Sequence, residues 1–486
     1  MTETVSGSEI RTGLYIAGAQ EEAAESFAVH DPADPDMVVG HAGAAGEEQA
    51  RRAVAAAHDA FPAWAAMGAE ERAARVRASL GALAGDNDER VELLSRENGK
   101  VRSECEIEMH VIESRFELAA GLAGVVDGVR EMPAPPFRTQ VSHLPLGVVS
   151  LIVPFNWPLA ILAASLPQAL VAGNTVVVKA PPPTPLSFVR TVALIASELP
   201  PGVVNVVSGH DAVLGPVLIG DPRVRKVCFT GSVGGGKRIM AMAADSLTRV
   251  TLELGGNDPA LVLADADVTE ETIGKLFVGA FLTTGQVCMA MKRLYVHRSH
   301  YDAVVEGLTG ALRGQRLGPG LDPGATMGPL NSARQHEFVT GLLDEVRGTA
   351  EVRELGEAVD DAAVARGHFL RPSLVLDPSP GARVVTEEQF GPTLPVIPFD
   401  DEQAAIAQAN DTWSGLCSSV WSSDPEHTAR VAAQLRTGTT FVNAHNAPWL
   451  DERAPFGGFN QSGMGREMGE EGILAFTDTH SVSYPG

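Results

Sequence analysis

Cys288 is the residue of this sequence best placed to act as a nucleophile. It follows a glycine in the segment TTGQVCMAMKR, where the backbone can present a side chain to a cleft. A thiolate forms covalent adducts with electrophilic carbon, which makes Cys288 a candidate nucleophile. A single cysteine more often lies buried as a small apolar residue, and that interpretation stays open. Cys105, Cys228 and Cys417 lie in helix or strand contexts that fit the buried interpretation better.

Glu253 and Asn156 are the next candidates for chemistry. Glu253 lies within the apolar strand pattern VTLELGGNDP, where desolvation raises a carboxyl pKa and suits a general base. A structural ion pair is the alternative role for Glu253. Asn156 lies between two prolines in VPFNWP and could donate to an oxyanion from a fixed position. Its alternative role is to cap the helix that follows.

Two further features could bind a phosphorylated ligand. The segment FTGSVGGG, residues 229–236, follows a strand pattern and opens a helix, so its backbone N–H groups could meet a pyrophosphate. The spacing from Gly231 to Gly236 differs from GxGxxG, which makes it a weak dinucleotide signal. Lys179 ends the strand TVVVK, at the carboxyl edge where parallel sheets bind ligands.

The elements that must position these residues alternate between strand and helix, which predicts an α/β fold with parallel sheets. Strands are predicted at 148–153, 175–179, 203–207, 226–230, 250–254, 260–264, 293–297, 418–421 and 439–443. Helices are predicted at 47–67, 70–84, 88–98, 104–121, 159–171, 186–198, 212–220, from 234, and at 268–282, 302–313 and 332–349. Residues 1–40 read as an irregular acidic arm with short strands, and 122–146 as a protruding hairpin.

Composition excludes several classes of protein. The 486 residues carry a net charge of −24, which disfavours nucleic acid and anionic membrane surfaces as partners. Four cysteines without a CxxC pattern argue against a disulfide framework or a metal site. We therefore expect a reducing, cytoplasmic compartment. The N-terminus lacks a signal-peptide layout, and prolines interrupt the most apolar stretch, residues 146–172, so no membrane span is expected.

Taken together, the motifs resemble those of the aldehyde dehydrogenase superfamily, from about residue 10 to the end. The matching segments occur in the family's order over most of the chain. They are PFNWP (154–158), TVVVK (175–179), PPGVVNVVSG (200–209), FTGS (229–232), ELGGNDP (253–259), GQVC (285–288), EEQFGP (387–392) and PFGGFNQSGMGRE (455–467). The resemblance implies an NAD(P)-dependent oxidation of an aldehyde to a carboxylic acid.

The resemblance also implies a role for each catalytic position. Cys288 would attack the aldehyde, and Asn156 with the Cys288 backbone N–H would form the oxyanion hole. Glu253 would activate the water that hydrolyses the thioester.

The same resemblance implies a cofactor site for NAD, with NADP possible. Lys179 and Glu388 would hold the two riboses, and Phe390 would pack near the nicotinamide. The turn that contains Ser232 would meet the pyrophosphate. The full set of expected cofactor contacts is Pro154, Phe155, Lys179, Gly231, Ser232, Gly236, Glu388 and Phe390.

The sequence departs from the family pattern at two positions. Pro182 stands where the family usually has a glutamate that binds the adenosine ribose, which predicts relaxed discrimination between NAD and NADP. Trp157 replaces a phenylalanine and should narrow one wall of the substrate tunnel. The expected substrate contacts are Trp157, Val287, Met289 and His445. Met289 could also fill core, and His445 could also be a surface loop residue.

The implied architecture is a cofactor domain, a catalytic domain and a small β element for oligomerisation. We predict the cofactor domain at 1–121 and 147–253, the catalytic domain at 254–453, and the oligomerisation element at 122–146 and 468–486. The partners expected are a small aldehyde and a second copy of the chain, in a homodimer or homotetramer.

Three other functions stay open at this point. A CoA-acylating relative would pass the thioester to a thiol and could dispense with Glu253. A catalytically silent protein of the same fold would be expected to have lost Cys288, Glu253 or Asn156. A thiol redox sensor would need a resolving cysteine near Cys288, and the sequence shows none nearby.

Overall fold

Two parallel-rich β-sheets flanked by helices form the framework of the chain in the computed structural model, which describes residues 10–485. The predicted α/β class is confirmed. Residues 1–9 of the predicted N-terminal arm, and Gly486 of the tail, lie outside the described residues. Within the described range, no helix is both long and apolar enough to cross a membrane.

The N-terminal third contains more regular strand structure than the sequence predicts. Its strands are β1 (Ile10–Thr12), β2 (Leu14–Ile16), β3 (Ala19–Glu21), β4 (Glu25–Asp31), β5 (Asp34–Ala44), β6 (Arg130–Ala134) and β7 (Phe137–Pro145). Its helices are α1 (Glu47–Ala65), α2 (Ala69–Ser79), α3 (Asn87–Asn98), α4 (Arg102–Ala120) and α5 (Ala123–Val126). The part of the arm expected to be irregular pairs β4 antiparallel with β5. Pairing stabilises β5 although its glycines and small residues have low strand propensity.

The first sheet carries the nucleotide-binding motifs. Its central strands are β8 (Val148–Ile152), β9 (Thr175–Lys179), β10 (Val204–Val207), β11 (Val224–Gly231) and β12 (Arg249–Leu254). The helices between them are α6 (Pro158–Val171), α7 (Pro185–Ser197), α8 (Asp211–Gly220) and α9 (Val233–Ala244). These strands run parallel in the order β12-β11-β8-β9-β10, and β2 and β3 extend the sheet antiparallel beyond β10. The carboxyl ends of the central strands therefore share one edge.

The second sheet carries the Cys288 segment. Its region contains β13 (Asp258–Val262), α10 (Glu270–Phe281), β14 (Met291–His297), α11 (Tyr301–Arg313), β15 (Arg316–Leu317), α12 (Ala333–Val346), β16 (Glu351–Glu354), β17 (Glu357–Ala358), α13 (Asp361–Val364), β18 (Ser373–Leu376), α14 (Arg383–Thr386), β19 (Thr393–Phe399), α15 (Glu402–Asn410), β20 (Cys417–Trp421), α16 (Pro425–Ala432) and β21 (Thr439–Val442). The order is β16-β18-β19-β14-β13-β20-β21, with only β16 antiparallel among its described strands. Three strands of this sheet, β16, β18 and β19, are not predicted from the sequence, and prolines within β19 conceal its strand pattern.

The C-terminal tail returns to both earlier regions. It contains β22 (Gly463–Met464), α17 (Gly469–Leu474) and β23 (Thr477–Pro485). β22 pairs with β12, so that Gly463 lies opposite Glu253. β23 pairs along all of β7, which gives a three-stranded antiparallel sheet β23-β7-β6 and places the predicted hairpin at residues 130–145. The predicted domain boundaries and the oligomerising role of this sheet stay predictions.

Two buried glutamates hold the N-termini of α6 and α7. Glu108 of α4 accepts hydrogen bonds from the backbone of Leu159 at 2.6 Å and of Ala160 at 3.1 Å, and it forms a buried ion pair with Lys100. Glu97 of α3 accepts from the first turn of α7 in the same way. A carboxylate satisfies the unpaired N–H groups and the positive dipole at a helix N-terminus. The start of α6, directly after Asn156, is therefore held in place.

Candidate active site

Cys288 lies on a strained turn between α10 and β14. Before it, Thr283 and Thr284 adopt left-handed backbone angles, with φ of 54° and 56°. This conformation is costly for β-branched residues, so the surrounding structure must hold it. Strain of this kind is concentrated at functional sites, where it directs a side chain that regular structure could not direct.

Three separate elements hold that turn. The carboxylate of Glu104 on α4 accepts from the backbone N–H of Thr283 at 2.6 Å. The indole of Trp157 donates to the Thr283 hydroxyl at 3.0 Å, and the Thr284 hydroxyl donates to the carbonyl of Gly328 at 3.0 Å. The turn is thus bonded to the first helical layer, to the start of α6 and to the loop after β15.

Asn156 is bonded to the same turn and does not cap α6. Its buried amide Nδ2 donates to the carbonyl of Gln286 at 2.9 Å. The first N–H groups of α6 donate to the carboxylate of Glu108 instead. The helix-cap interpretation of Asn156 is therefore wrong. One amide hydrogen of Asn156 remains for another acceptor, and the backbone N–H of Cys288 has no acceptor within residues 10–485. The nucleophile turn therefore has two N–H donors without an acceptor in the described chain, one from Asn156 and one from Cys288.

Cys288 differs from the other three cysteines in exposure. Its side chain is partly exposed, whereas Cys105, Cys228 and Cys417 are buried. Burial of its surroundings raises the pKa of the Cys288 thiol to about 12, and the charge of Lys292 acts in the opposite direction. A thiol in this setting is accessible to a substrate and needs positive charge to ionise.

Glu253 is a buried carboxylate without a bonded partner. Its side chain is 4 % exposed, and neither oxygen has a hydrogen-bond partner within the described chain. Burial, reinforced by the charge of Glu467, raises the pKa of Glu253 well above its usual range. A Cβ at Gly457 would lie 2.8 Å from Oε1 of Glu253, so only glycine allows the loop to approach this closely. The structural ion pair considered for Glu253 is not formed, and the carboxyl group is suited to accept a proton.

An apolar cluster surrounds the thiol. It includes the predicted substrate contacts Trp157, Val287 and Met289, which are all less than 9 % exposed. Small side chains also line it, together with partly exposed apolar residues at its rim. The other members are Val111, Ala160, Ile161, Ala164, Leu282, Ala290, Leu416, Cys417, Phe441, Ala447, Trp449, Leu450, Phe456 and Met468. Charged groups border this cluster: Nζ of Lys100 lies 4.3 Å from the centroid of the Trp157 ring, and Nζ of Lys292 donates to the carbonyl of Val287.

His445 is completely buried, so its interpretation as a surface loop residue is wrong. Its Nδ1 is 2.8 Å from the hydroxyl of Ser419, and its Nε2 has no partner among residues 10–485. Burial and the charge of Lys292 lower the pKa of His445 to about 3, which keeps the imidazole neutral. The backbone of Met289 has the opposite, smaller effect on the pKa of His445, so the imidazole lies next to the turn that carries Cys288.

A second cysteine does lie near Cys288 in space. Cys417, at the start of β20, belongs to the same apolar cluster, and its thiol interacts electrostatically with Cys288. The expectation that no cysteine is nearby is therefore wrong, because the sheet joins segments far apart in the chain. Burial raises the pKa of Cys417 well above its usual range, which makes it a poor thiolate.

The predicted cofactor residues of the first sheet gather at its carboxyl edge. Pro154 and Phe155 follow β8, Lys179 ends β9, and Gly231 ends β11. Ser232 is the N-cap of α9, and its hydroxyl accepts from the backbone of Gly235, next to Gly236. The N–H groups of Val233 and Gly234 have no acceptor within the described residues. Free donors at a helix N-terminus fit a pyrophosphate.

The remaining cofactor candidates come from the second sheet and face this edge. Glu388 accepts from the backbone N–H of Gly256 at 3.2 Å, and a Cβ at Gly255 would lie 2.0 Å from its Oε2. The ring of Phe390 lies edge-on to that of Phe155, with centroids 6.2 Å apart. The structure thus brings together segments that are more than 200 residues apart.

Sequence reasoning missed two charged groups at these sites. Asp211, the first residue of α8, lies 2.7 Å from Nζ of Lys179 although its side chain is 82 % exposed. Lys292 is 2 % exposed and lies beside the nucleophile turn. A lysine at the start of the apolar run MKRLYV was a signal for a buried cation. No local pattern identified Asp211, because its partner Lys179 lies at the end of β9, more than 30 residues earlier in the chain.

Comparisons with known proteins agree with this arrangement. The model of the aldehyde dehydrogenase family matches residues 19–482. Betaine aldehyde dehydrogenase of Bacillus subtilis is 35 % identical over 90 % of each chain, and geranial dehydrogenase of Castellaniella defragrans is 36 % identical over 93 % of this chain and 94 % of its own. The crystal structure of Staphylococcus aureus betaine aldehyde dehydrogenase in complex with NAD+ superposes with a TM-score of 0.92, at 32 % identity over 98 % of this chain and 95 % of its own.

Proposed function

The chain belongs to the aldehyde dehydrogenase family and oxidises an aldehyde with NAD(P), and from this premise we propose which of its residues carry the reaction. Cys288 is the nucleophile, Asn156 and the Cys288 backbone N–H receive the oxyanion, and Glu253 is the base for hydrolysis. The observation that supports this assignment is that Asn156 is bonded to the turn carrying Cys288, while its second amide hydrogen and the Cys288 N–H have no acceptor within the described residues.

The first half of the reaction forms a thioester. The Cys288 thiolate attacks the aldehyde carbon, and the carbonyl oxygen gains the negative charge that the two N–H donors stabilise. A donor of this kind contributes about 10²–10³ in rate. Bound NAD accepts the hydride that then leaves the adduct carbon. Lys179, Glu388 and the free N–H groups of α9 hold that cofactor at the sheet edge.

The second half releases the acid. Glu253 takes a proton from water, the hydroxide adds to the thioester carbon, and the Cys288 thiolate leaves. Because burial raises the pKa of Glu253, its ionised form becomes more abundant as pH rises, so hydrolysis should accelerate with pH. A CoA-acylating reaction would not need this base, and the presence of Glu253 favours hydrolysis.

The apolar cluster around the thiol supports an aldehyde with an uncharged, apolar chain as substrate. Burying a carboxylate or ammonium group among these apolar side chains would cost desolvation free energy, whereas an alkyl chain gains free energy by burial there. Geranial dehydrogenase, one of the relatives, carries the name of an apolar aldehyde. Ala160 and Ala164 leave room between the larger side chains Trp157 and Phe456.

The cofactor preference depends on the adenosine end of the site. Pro182 offers no carboxylate, but Asp211 places one at Lys179, which the sequence analysis did not foresee. A 2′-phosphate at Lys179 would stand close to the Asp211 charge. Two unit charges 4 Å apart in water repel by about 1 kcal/mol, so a phosphate dianion meets about twice that. We therefore propose a preference for NAD, with NADP a weaker cofactor.

The sheet β23-β7-β6 supports assembly into a homodimer or homotetramer. Large apolar side chains stand exposed along it, which is unusual for a surface that stays in water. They are Val129, Met132, Phe137, Leu144, Val482 and Tyr484. The strand register puts Leu144, Val482 and Tyr484 on one face of the sheet, and Met132 and Phe137 on the other. A second copy of the same sheet would cover one of these faces by a two-fold contact, as most homo-oligomers use. We also propose a cytoplasmic, reducing location because all four cysteines are free, and cell fractionation would test it.

Replacing the base should separate the two halves of the reaction. In Glu253→Gln, rapid mixing with aldehyde and NAD should release about one equivalent of NADH per site, followed by a slow steady state. Cys288→Ala should show neither phase, whereas the controls Cys105→Ala and Glu271→Gln should behave as the wild-type enzyme. Equal loss of both phases in Glu253→Gln would contradict its role in hydrolysis, and turnover by Cys288→Ala would end the covalent mechanism.

A homologous series of aldehydes should reveal the apolar pocket. Each added methylene that becomes buried contributes about 0.8 kcal/mol, so kcat/KM should rise about fourfold per carbon from propanal to hexanal. Succinate semialdehyde, with its carboxylate, should be at least about tenfold poorer than butanal. A flat series, or a better charged substrate, would show that the substrate chain does not enter the apolar cluster.

Removing the carboxylate at Lys179 should relax the cofactor preference. In Asp211→Asn, the ratio of kcat/KM for NADP to that for NAD should rise about 5–30-fold, which corresponds to about 1–2 kcal/mol. Pro182→Glu should lower the ratio, and the exposed Asp245→Asn, with the same change in net charge, should leave it unchanged. A ratio that does not respond to Asp211→Asn or Pro182→Glu would place cofactor discrimination elsewhere.

Solution mass should report the proposed assembly. Light scattering at micromolar concentration should give two or four times the 51.0 kDa of one chain. A charge on the exposed sheet, in Phe137→Asp, should lower that mass because it would be buried without a partner. Leu247→Asp, at a site 88 % exposed elsewhere, is the control. A wild-type mass near one chain would contradict the assembly.

A further inference from the structure

Lys292 forms an unusually dense set of contacts with the turn that carries the nucleophile. Its Nζ donates to the carbonyls of Val287 at 2.8 Å, Cys288 at 2.9 Å and Ala290 at 3.0 Å. All three protons of the ammonium group are therefore used within five residues of chain. The side chain is 2 % exposed, so these bonds are shielded from water.

These contacts orient the peptide groups of the turn. In a trans peptide group the carbonyl and the N–H of the next residue point in opposite directions. When the carbonyl of Val287 points at Lys292, the N–H of Cys288 therefore points away from Lys292. The carbonyl of Met289 is the one among residues 287–290 that Lys292 does not bond, and the backbone of Met289 partly opposes the lowering of the His445 pKa. Three of the four carbonyls of residues 287–290 are thus hydrogen-bonded to one ammonium group.

Several carboxylates surround the positively charged Lys292. Its Nζ is 3.9 Å from Oε1 of Glu388. The charges of Glu388, Glu253 and Asp258 all oppose ionisation of the Cys288 thiol, and Lys292 is the group that favours it. The other titratable neighbours are Cys417, whose burial keeps it protonated, and His445, which is neutral.

We propose that Lys292 is the positioning residue of the nucleophile: its ammonium group holds residues 287–290 so that the Cys288 thiol and N–H face the pocket, and its charge stabilises the Cys288 thiolate. This inference rests on the proposed role of Cys288, and it assigns to the chain the positive charge that a buried thiol needs. Lys292 does not touch the aldehyde, and acts through the turn.

The direct test is the pH dependence of Cys288 alkylation, measured without cofactor or aldehyde. Iodoacetamide modification is followed by the mass of the peptide that contains Cys288, and its rate is compared at fixed pH between about 7 and 10, where the rate is proportional to the thiolate fraction. In Lys292→Met the rate at each pH should fall about tenfold, as a rise of about one unit in the pKa of the thiol requires. Lys275→Met, which removes a lysine of α10 from a surface ion pair with Glu271, should leave the profile unchanged.

A second variant gives the opposite sign and changes few contacts. Burial raises the pKa of Asp258 to about 8, so above that pH its charge opposes the thiolate. Asp258→Asn should therefore raise the alkylation rate at about pH 9–10, and it keeps the proposal testable if Lys292→Met does not fold. A folded Lys292→Met with the wild-type alkylation rate, or a lowered rate in Asp258→Asn, would overturn the proposal.

Steady-state kinetics separate positioning from cofactor binding. In Lys292→Met, kcat at saturating NAD should fall about tenfold or more. The dissociation constant for NAD is measured separately, because Nζ of Lys292 lies 3.9 Å from Glu388 of the proposed cofactor site. An unchanged kcat would overturn the proposal. Failure of the proposed function would look different: aldehyde turnover by Cys288→Ala would remove the nucleophile role while the alkylation profiles of the lysine variants stayed as measured.

Discussion

The conflict between burial and charge at Cys288 is the constraint on which the rest of this site depends. The proposed chemistry needs a thiolate, an oxyanion and an ionised base, and apolar surroundings disfavour all three charged groups. Three fixed donors lie at the turn that carries Cys288: the Asn156 amide, the free N–H of Cys288 and the ammonium group of Lys292. Preorganised dipoles are effective here because little water competes with them.

Holding such donors requires a rigid support, and that support is built from buried carboxylates. Glu104 bonds the strained turn before Cys288, and Glu108 bonds the first N–H groups of α6. Trp157 joins the two through its bond to Thr283. A carboxylate inside the protein is stable only when hydrogen bonds satisfy it, and these groups gain theirs from the backbone that they position.

The cofactor site follows from the direction of the strands. In a parallel sheet all carboxyl ends meet at one edge, and each helix that follows offers its N-terminus there. Ser232 begins α9 at this edge, while Glu388 and Phe390 approach from the other sheet. Gly255 lets Glu388 come within reach of the backbone, because any Cβ there would overlap the carboxylate. Residues of the two sheets thus meet at this edge.

The sequence by itself determined the α/β class, most helices, and the identity of Cys288, Glu253 and Asn156 as candidates, because periodicity and local motifs are short-range properties of a chain. The tertiary structure alone decided what those residues touch. It showed that Asn156 bonds the nucleophile turn instead of capping α6, that His445 is buried, and that Cys417 lies beside Cys288. It also joined Asp211 to Lys179. Contacts between strands far apart in the chain depend on how the sheets are ordered, and no local pattern encodes that order.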